Sequence, residues 1–250
     1  MTSLTGNRRI KSLMYLISFA TVGFGFFFSA FHAAFMSAIV LVFASIMVNR
    51  RDGLSAIGVG ISKRKLTWFL LAFLCSAVLA TLTVIGTLKT LPQLKMEFEA
   101  FPLLLVATVF LQSFVEEVLF RVYLMKQILG SLISSMNQLC FCSALLFSFA
   151  HFVNYRLSEG VSLSAAPLLT LFLMGFAGSA LYLKQGHILG AWGFHAGWNT
   201  VRFAVVFWNN GDRVPESMTF ELLEGSWIGL GIGGGLAAFA IIHQMQRKPT

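Results

Sequence analysis

The stretch from about Phe101 to Leu124 is apolar over the length of a membrane span, yet it contains two adjacent glutamates, Glu116 and Glu117. About 20 apolar residues in a helix cross the hydrocarbon core of a bilayer, so the stretch predicts a transmembrane helix. A carboxylate at the centre of such a helix costs roughly 3 kcal/mol, and ionisable groups inside the membrane mark functional sites. The sequence therefore predicts a membrane protein with chemistry in its interior.

Apolar stretches of similar length recur along the whole chain. Of its 250 residues, 57% are hydrophobic and 11% are charged, whereas about 25% of residues are charged in typical soluble domains. We expect an all-α fold, a polytopic transmembrane helical bundle of about eight spans. The spans are predicted at about 13–30, 31–48, 66–88, 101–124, 139–153, 166–183, 188–208 and 226–243.

The polar residues that are expected to carry chemistry all lie after residue 100. Residues 1–100 are predicted to form N-terminal transmembrane helices with a cytoplasmic interfacial loop, and residues 101–250 a catalytic core. We expect one integral membrane domain overall. A polar, acidic-leaning loop from Asn209 to Gly225 is predicted to join the last two spans outside the membrane. Cys75, Cys140 and Cys142 lie in apolar stretches without metal-type spacing, which predicts free, buried thiols.

The net charge of +8 is explained by membrane topology, because the basic residues cluster at the ends of alternate spans. With eight spans, the positive-inside rule places both termini in the cytoplasm. No nucleic-acid partner is needed to account for the charge. The basic, apolar N-terminus has no convincing cleavage site, so we predict an uncleaved first helix. The expected location is the cytoplasmic (inner) membrane of a prokaryote.

Three predicted spans carry polar residues at helical spacing. Glu117 and Arg121 lie four residues apart and are expected to form an ion pair. Glu116 is rotated about 100° away from that face, which leaves it available to react.

The fifth and seventh spans supply the other polar residues. Phe147 and His151 share a face of the fifth span, and His195 and Asn199 share a face of the seventh. Their predicted depths in the membrane are compatible, so we expect them to meet Glu116 at one cavity open toward the cytoplasm.

This set of residues is suited to hydrolysis of an amide or an ester. A glutamate beside an imidazole can deprotonate water, and His195 with Asn199 can donate hydrogen bonds to an oxyanion. Alternatively, Glu116, His151 and His195 could bind a divalent metal such as zinc, with a site open for water. We favour catalysis without a metal, because the sequence contains no HExxH pair. No other cofactor is expected.

The three motifs resemble those of the CPBP family of intramembrane proteases, which includes the CAAX prenyl endopeptidases. The family's Glu-Glu-x-x-x-Arg motif is matched by Glu116, Glu117 and Arg121, its Phe-x-x-x-His motif by Phe147 and His151, and its His-x-x-x-Asn motif by His195 and Asn199.

The resemblance implies an eight-helix core and a role for each motif. It implies that Glu116 with His151 activates water, that His195 and Asn199 form the oxyanion hole, and that Glu117 and Arg121 hold the geometry. The implied substrate is a membrane-inserted or lipidated peptide or protein.

The same residues are also compatible with two other functions. Some relatives are discussed as bacteriocin self-immunity proteins or as membrane scaffolds, which would need no proteolysis. A proton-coupled transporter would also use intramembrane Glu and His residues, but no internal repeat supports one.

Arg202 has two possible roles: it could recognise a substrate carboxylate, sulfate or phosphate group, or it could extend toward the outer surface of the membrane, as long basic side chains do near helix ends. The second is our expectation.

Overall fold

The computed structural model describes residues 40, 58–60, 62–88, 103–158, 162–208 and 223–245. All regular structure in this part of the chain is helical, which confirms the all-α prediction there. The α-helices are α1 (Lys63–Leu88), α2 (Leu103–Glu117), α3 (Met136–Ser158), α4 (Ala165–Gln185), α5 (Leu189–Trp208) and α6 (Trp227–Met245). Apart from residue 40, the first two predicted spans lie outside the described residues, so the count of eight remains a prediction.

Four of the described helical segments are long and apolar enough to cross a membrane. They are Lys63–Thr87, Leu103–Ser131, Met136–Arg156 and Ala165–Gln185. The last helix, α6, contains a shorter apolar stretch, Ile228–Phe239. The predicted spans from the third to the eighth therefore each coincide with a helix, although length and composition mark only four of these as membrane-crossing.

Helix α2 does not continue as an α-helix to Leu124 as the sequence predicts. After Glu117 the chain forms a π-helix, Val118–Ile128, and then a 3-10 turn, Leu129–Ser131. This segment packs into a buried cluster that includes Val115, Val122 and Tyr123. Short π-helical stretches occur often at functional sites, because they change the register of the side chains that follow.

Helices α1 and α5 pack closely and run in the same direction. A Cβ atom at Gly193 would collide with the backbone of Phe69, and one at Gly197 would collide with the carbonyl of Phe73. The contacts advance by four residues on both helices, which requires parallel axes. Glycine at these positions allows the two backbones to approach, as in many membrane helix pairs. Helix α5 also packs against α2 and α4, so its polar face reaches the interior.

The outer face of α1 is apolar and exposed. Leu66, Leu70 and Leu74 are 49%, 49% and 58% exposed. Such a row of large apolar side chains is suited to contact with lipid. The three cysteines are free, as predicted, but only Cys140 is buried in the protein; Cys75 is exposed on α1.

Candidate active site

Glu117 is held between Arg121 and His195. Its Oε2 atom lies 3.2 Å from Arg121 Nε, and its Oε1 atom accepts a hydrogen bond of 3.0 Å from His195 Nδ1. Both members of the predicted ion pair are almost completely buried, at 2% exposure each. The pair forms even though Arg121 lies in the π-helix, because the side chain is long enough to reach back to α2.

Three other residues position the Arg121 guanidinium. Arg121 Nη1 donates a hydrogen bond of 3.2 Å to Ser143 Oγ, and Ser143 in turn donates one of 3.2 Å to the carbonyl of Phe120. The guanidinium carbon lies 5.3 Å from the centre of the Phe147 ring. A Cβ atom at position 178 would approach Arg121 Nη2 to 3.1 Å, so Gly178 leaves the room that the guanidinium occupies. Arg121 therefore connects α2 to α3 and α4.

Glu116 faces the two histidines, while Glu117 faces the arginine. Glu116 Oε2 lies 3.5 Å from His195 Nε2 and 3.7 Å from His151 Nε2. Its other oxygen accepts a hydrogen bond of 3.3 Å from Gln112 Nε2, one helical turn earlier. The divergence of adjacent helical residues thus directs Glu117 to Arg121 and Glu116 to His151, while His195 contacts both glutamates.

The orientation of His151 is fixed by its own helix. His151 Nδ1 lies 2.9 Å from the carbonyl oxygen of Phe147, and because a carbonyl only accepts, this nitrogen carries the proton. In the neutral ring Nε2 then presents a lone pair toward the Glu116 carboxylate. Two acceptors that face each other at 3.7 Å are suited to share a donor such as water. The Phe147 ring packs 4.5 Å from the His151 ring and 5.8 Å from the His195 ring.

His195 and Asn199 reach the site from α5. His195 donates through Nδ1 to Glu117 and presents Nε2 to Glu116. Asn199, one turn later, is 6% exposed and donates from Nδ2 to Ser113 Oγ on α2 over 3.3 Å. The structure therefore brings together, from three helices, the residues that the sequence motifs single out.

A small cavity of about 40 Å³ adjoins these residues, which is enough room for water. His151, His195 and Asn199 line it, together with Glu117 and Trp198. Glu116 is not part of the cavity wall but contacts the two histidines that are. The two histidines therefore connect Glu116 to the cavity.

One of the acidic residues that line the cavity was not predicted to lie there. Glu224 was expected in a polar outer loop, but it is 1% exposed and lines the cavity. Its Oε1 atom accepts a hydrogen bond of 2.8 Å from Trp198 Nε1, and its backbone carbonyl accepts one of 2.6 Å from Thr170. No pattern in the sequence indicates this position, because the contacts join segments that are far apart in the chain.

Helical spacing in the sequence indicates only some of the other residues that support the site. Gln112 lies one turn before Glu116 on the same face, a signal that helix periodicity offers. Ser113 and Ser143 support Asn199 and Arg121 from neighbouring helices, and serine in an apolar span gives no such indication.

Arg202 does not extend to the outer surface, so that expectation is wrong. Its side chain is 3% exposed, and its Nη1 atom donates a hydrogen bond of 3.2 Å to the Tyr155 hydroxyl. The guanidinium carbon also lies 4.7 Å from the centre of the Phe203 ring. Arg202 is therefore a buried cation within the helical bundle, and its substrate-binding role remains a hypothesis.

Among the described residues, no group of three or more His, Cys, Asp and Glu side chains is arranged to hold a metal ion. The imidazole Nδ1 atoms are each used in a hydrogen bond, to Phe147 in one ring and to Glu117 in the other.

Residues 98–201 match the family described as type II CAAX prenyl endopeptidase Rce1-like. These residues belong to the CPBP (CAAX protease) family. The matched segment contains all three motifs, from Glu116 to Asn199, and confirms the resemblance that they carry. Together with the four apolar helices, this match indicates an integral membrane protein. No curated protein and no solved structure matches the chain significantly.

Proposed function

We propose that this protein is an intramembrane endopeptidase that hydrolyses a peptide bond in a membrane-inserted or lipidated substrate. One observation carries the proposal: the Glu116 carboxylate faces the Nε2 atoms of His151 and His195 beside a cavity that the two histidines line. The family match to CAAX prenyl endopeptidases supports the same reaction and points to substrates anchored by a lipid group.

Water activation is assigned to Glu116 and His151 together. A water molecule between Glu116 Oε2 and His151 Nε2 would donate one proton toward each acceptor. As its oxygen attacks the carbonyl carbon, the pair takes up one proton. The same proton then passes to the nitrogen of the leaving amine as the C–N bond breaks, so the pair returns to its starting state.

The oxyanion is assigned to His195 and Asn199. Both carboxylates lie within 3.5 Å of the His195 ring nitrogens, Glu117 at Nδ1 and Glu116 at Nε2. The role requires a proton on His195 Nε2, which together with the second N–H of the Asn199 amide would stabilise the negative oxygen of the tetrahedral intermediate.

The proposal requires no metal, and it predicts that chelators leave the activity unchanged. Each histidine has its Nδ1 atom committed within the protein, and both Nε2 atoms face Glu116, which is sufficient for acid–base catalysis. We expect 1,10-phenanthroline and EDTA to have no effect on the initial rate of the purified enzyme in detergent. A loss of activity that zinc restores would instead assign Glu116, His151 and His195 as metal ligands.

The proposed topology has eight spans, with both termini and the opening of the cavity on the cytoplasmic side. The parallel packing of α1 and α5 supports the alternation of the spans between them, because the third and seventh of a series of alternating spans must run in the same direction. The positive charges at the start of α1 support a cytoplasmic position for that end.

The function is tested by comparing the termini of membrane proteins in cells that express the wild type or Glu116→Gln at equal levels. We expect new termini only with the wild type, and their sequences identify the substrate and the depth of cleavage. Identical termini in both cells, with a phenotype that survives the substitution, would instead indicate a scaffold or self-immunity protein.

A further inference from the structure

Two helix N-termini lie side by side at the end of the bundle where α1 and α5 begin. The helices are parallel, and the contact of Gly193 with Phe69 lies four residues into α5 and six residues into α1. The two first turns are therefore offset by only about 3 Å along the axis. Each contributes a partial positive charge at its first turn, so this end of the bundle favours an anion; in α1, Ser62 Oγ already accepts a hydrogen bond of 3.3 Å from Lys65 N.

At this end of the bundle, the segment before α1 contacts the turn that precedes α5. Ile188 N donates a hydrogen bond of 3.4 Å to the carbonyl of Gly58. Gly58 has a φ of +76°, and a Cβ atom there would lie 3.1 Å from Ile188 N and 3.3 Å from His187 Cα. Glycine is required at this position both by its backbone conformation and by the close approach to His187.

The first turn of α1 adds three positive charges where a helix dipole favours negative ones. Lys63, Arg64 and Lys65 occupy this turn, which contains no acidic residue. In the part of the chain that the structure describes, none of the three takes part in an ion pair. Cations at a helix N-terminus are unfavourable by several tenths of a kcal/mol each. Both the charges and the dipoles would be compensated by one bound anion.

Besides the positive charge at this end, the side chain of His187 independently indicates that a ligand binds here. It is 5% exposed, yet its Nδ1 atom has no hydrogen-bond partner among the residues that the structure describes. Burial, followed by the charges of Lys65 and Arg64, holds the pKa of His187 below its usual range. A buried polar nitrogen without a partner is costly, and an anion between His187 and these cations would satisfy it.

We propose that Arg64, Lys65, His187 and the adjoining helix N-termini bind the phosphate group of an anionic phospholipid. A lipid is favoured over a free phosphate because the exposed apolar face of α1, formed by Leu66, Leu70 and Leu74, begins directly beside the cationic turn. The headgroup would occupy the cationic end, and the acyl chains would lie along this face. The site is independent of the proposed proteolysis.

The test measures phosphatidylglycerol bound per chain, relative to phosphatidylcholine, after purification of the full-length protein from mixed vesicles. We expect enrichment of phosphatidylglycerol in the wild type. Arg64→Gln should lower the enrichment about fivefold, since one basic residue near an anionic headgroup contributes about 1 kcal/mol. His187→Phe, which keeps an aromatic ring but removes both nitrogens, should also lower it.

Lys126→Gln is the matched control, because Lys126 is an exposed cation at the end of the π-helix and its loss removes the same charge. Its enrichment should equal that of the wild type. Equal loss in Lys126→Gln and Arg64→Gln would show a diffuse charge effect and overturn the site, as would the absence of any enrichment. Thermal stabilisation of the protein in phosphatidylcholine vesicles by inorganic phosphate alone would overturn the lipid assignment. Arg64→Gln changes an exposed residue, so the test stands if His187→Phe does not fold.

Discussion

The Glu116→Gln variant is expected to hydrolyse its substrate at least about 100-fold more slowly than the wild type, with an unchanged yield of folded protein. A positioned acid–base group contributes 100-fold or more to such reactions. Glutamine keeps the size of the side chain and an oxygen that accepts from Gln112, but it does not take up a proton. The measurement is the initial rate on a prenylated CAAX peptide, or on a substrate identified from cellular termini. His151→Ala should give a comparable loss.

Glu224→Gln is the matched control for this experiment. It makes the same change to another buried carboxylate beside the cavity, and its oxygen still accepts the hydrogen bond from Trp198. We expect a reduction of less than tenfold, because the proposed mechanism assigns no proton transfer to Glu224. Full activity in Glu116→Gln would show that the catalytic base is wrong. Equal losses in both carboxylate variants would show that the cavity needs its total charge rather than a base at Glu116.

The second large effect is expected from Arg121→Met, which should strongly reduce the amount of folded protein. The substitution leaves the buried Glu117 carboxylate without its cation, and removal of one partner from a buried ion pair destabilises a protein by roughly 3–5 kcal/mol. The hydrogen bond to Ser143 and the contact with the Phe147 ring are lost as well. The measurements are the monodisperse fraction after detergent extraction and the midpoint of thermal unfolding.

Two further variants separate charge loss from other effects of this substitution. Lys126→Met removes an exposed cation from the same π-helix and should leave the folded yield unchanged. Combining Glu117→Gln with Arg121→Met removes both charges and should recover a substantial part of the yield, although not the activity, because His195 then loses the carboxylate at its Nδ1 atom. If the double variant is no more stable than Arg121→Met, the guanidinium contributes through packing rather than through the ion pair.

The pairs that lie one helical turn apart could be predicted from the sequence, because helix geometry alone places them together. Glu117 with Arg121 is such a pair, and the shared face of Phe147 and His151 is another. The helical class was predictable for a similar reason, since an apolar stretch of membrane length has to satisfy its backbone hydrogen bonds within itself. Those predictions depend on residues that are close in the chain.

Three features of the structure were not predicted from the sequence, because each depends on contacts between distant parts of the chain. The π-helix after Glu117 was not predicted, because its register depends on packing and on the bond from Ser143 to the Phe120 carbonyl. Arg202 was expected near the surface, but the Tyr155 hydroxyl lies where the buried guanidinium reaches it. Glu224 was expected in an outer loop, but the chain before α6 returns to the cavity and Trp198 binds its side chain.

The sequence by itself indicated an α-helical membrane protein, the residues that are proposed to carry its chemistry, and the protease family that it resembles. Only the tertiary structure decided how these residues face one another. The distances from Glu116 to His151 and His195 depend on the relative rotation and depth of α2, α3 and α5. Contacts such as Gly193 and Gly197 against α1 set those positions. They join residues far apart in the chain, and helical periodicity contains no information about them.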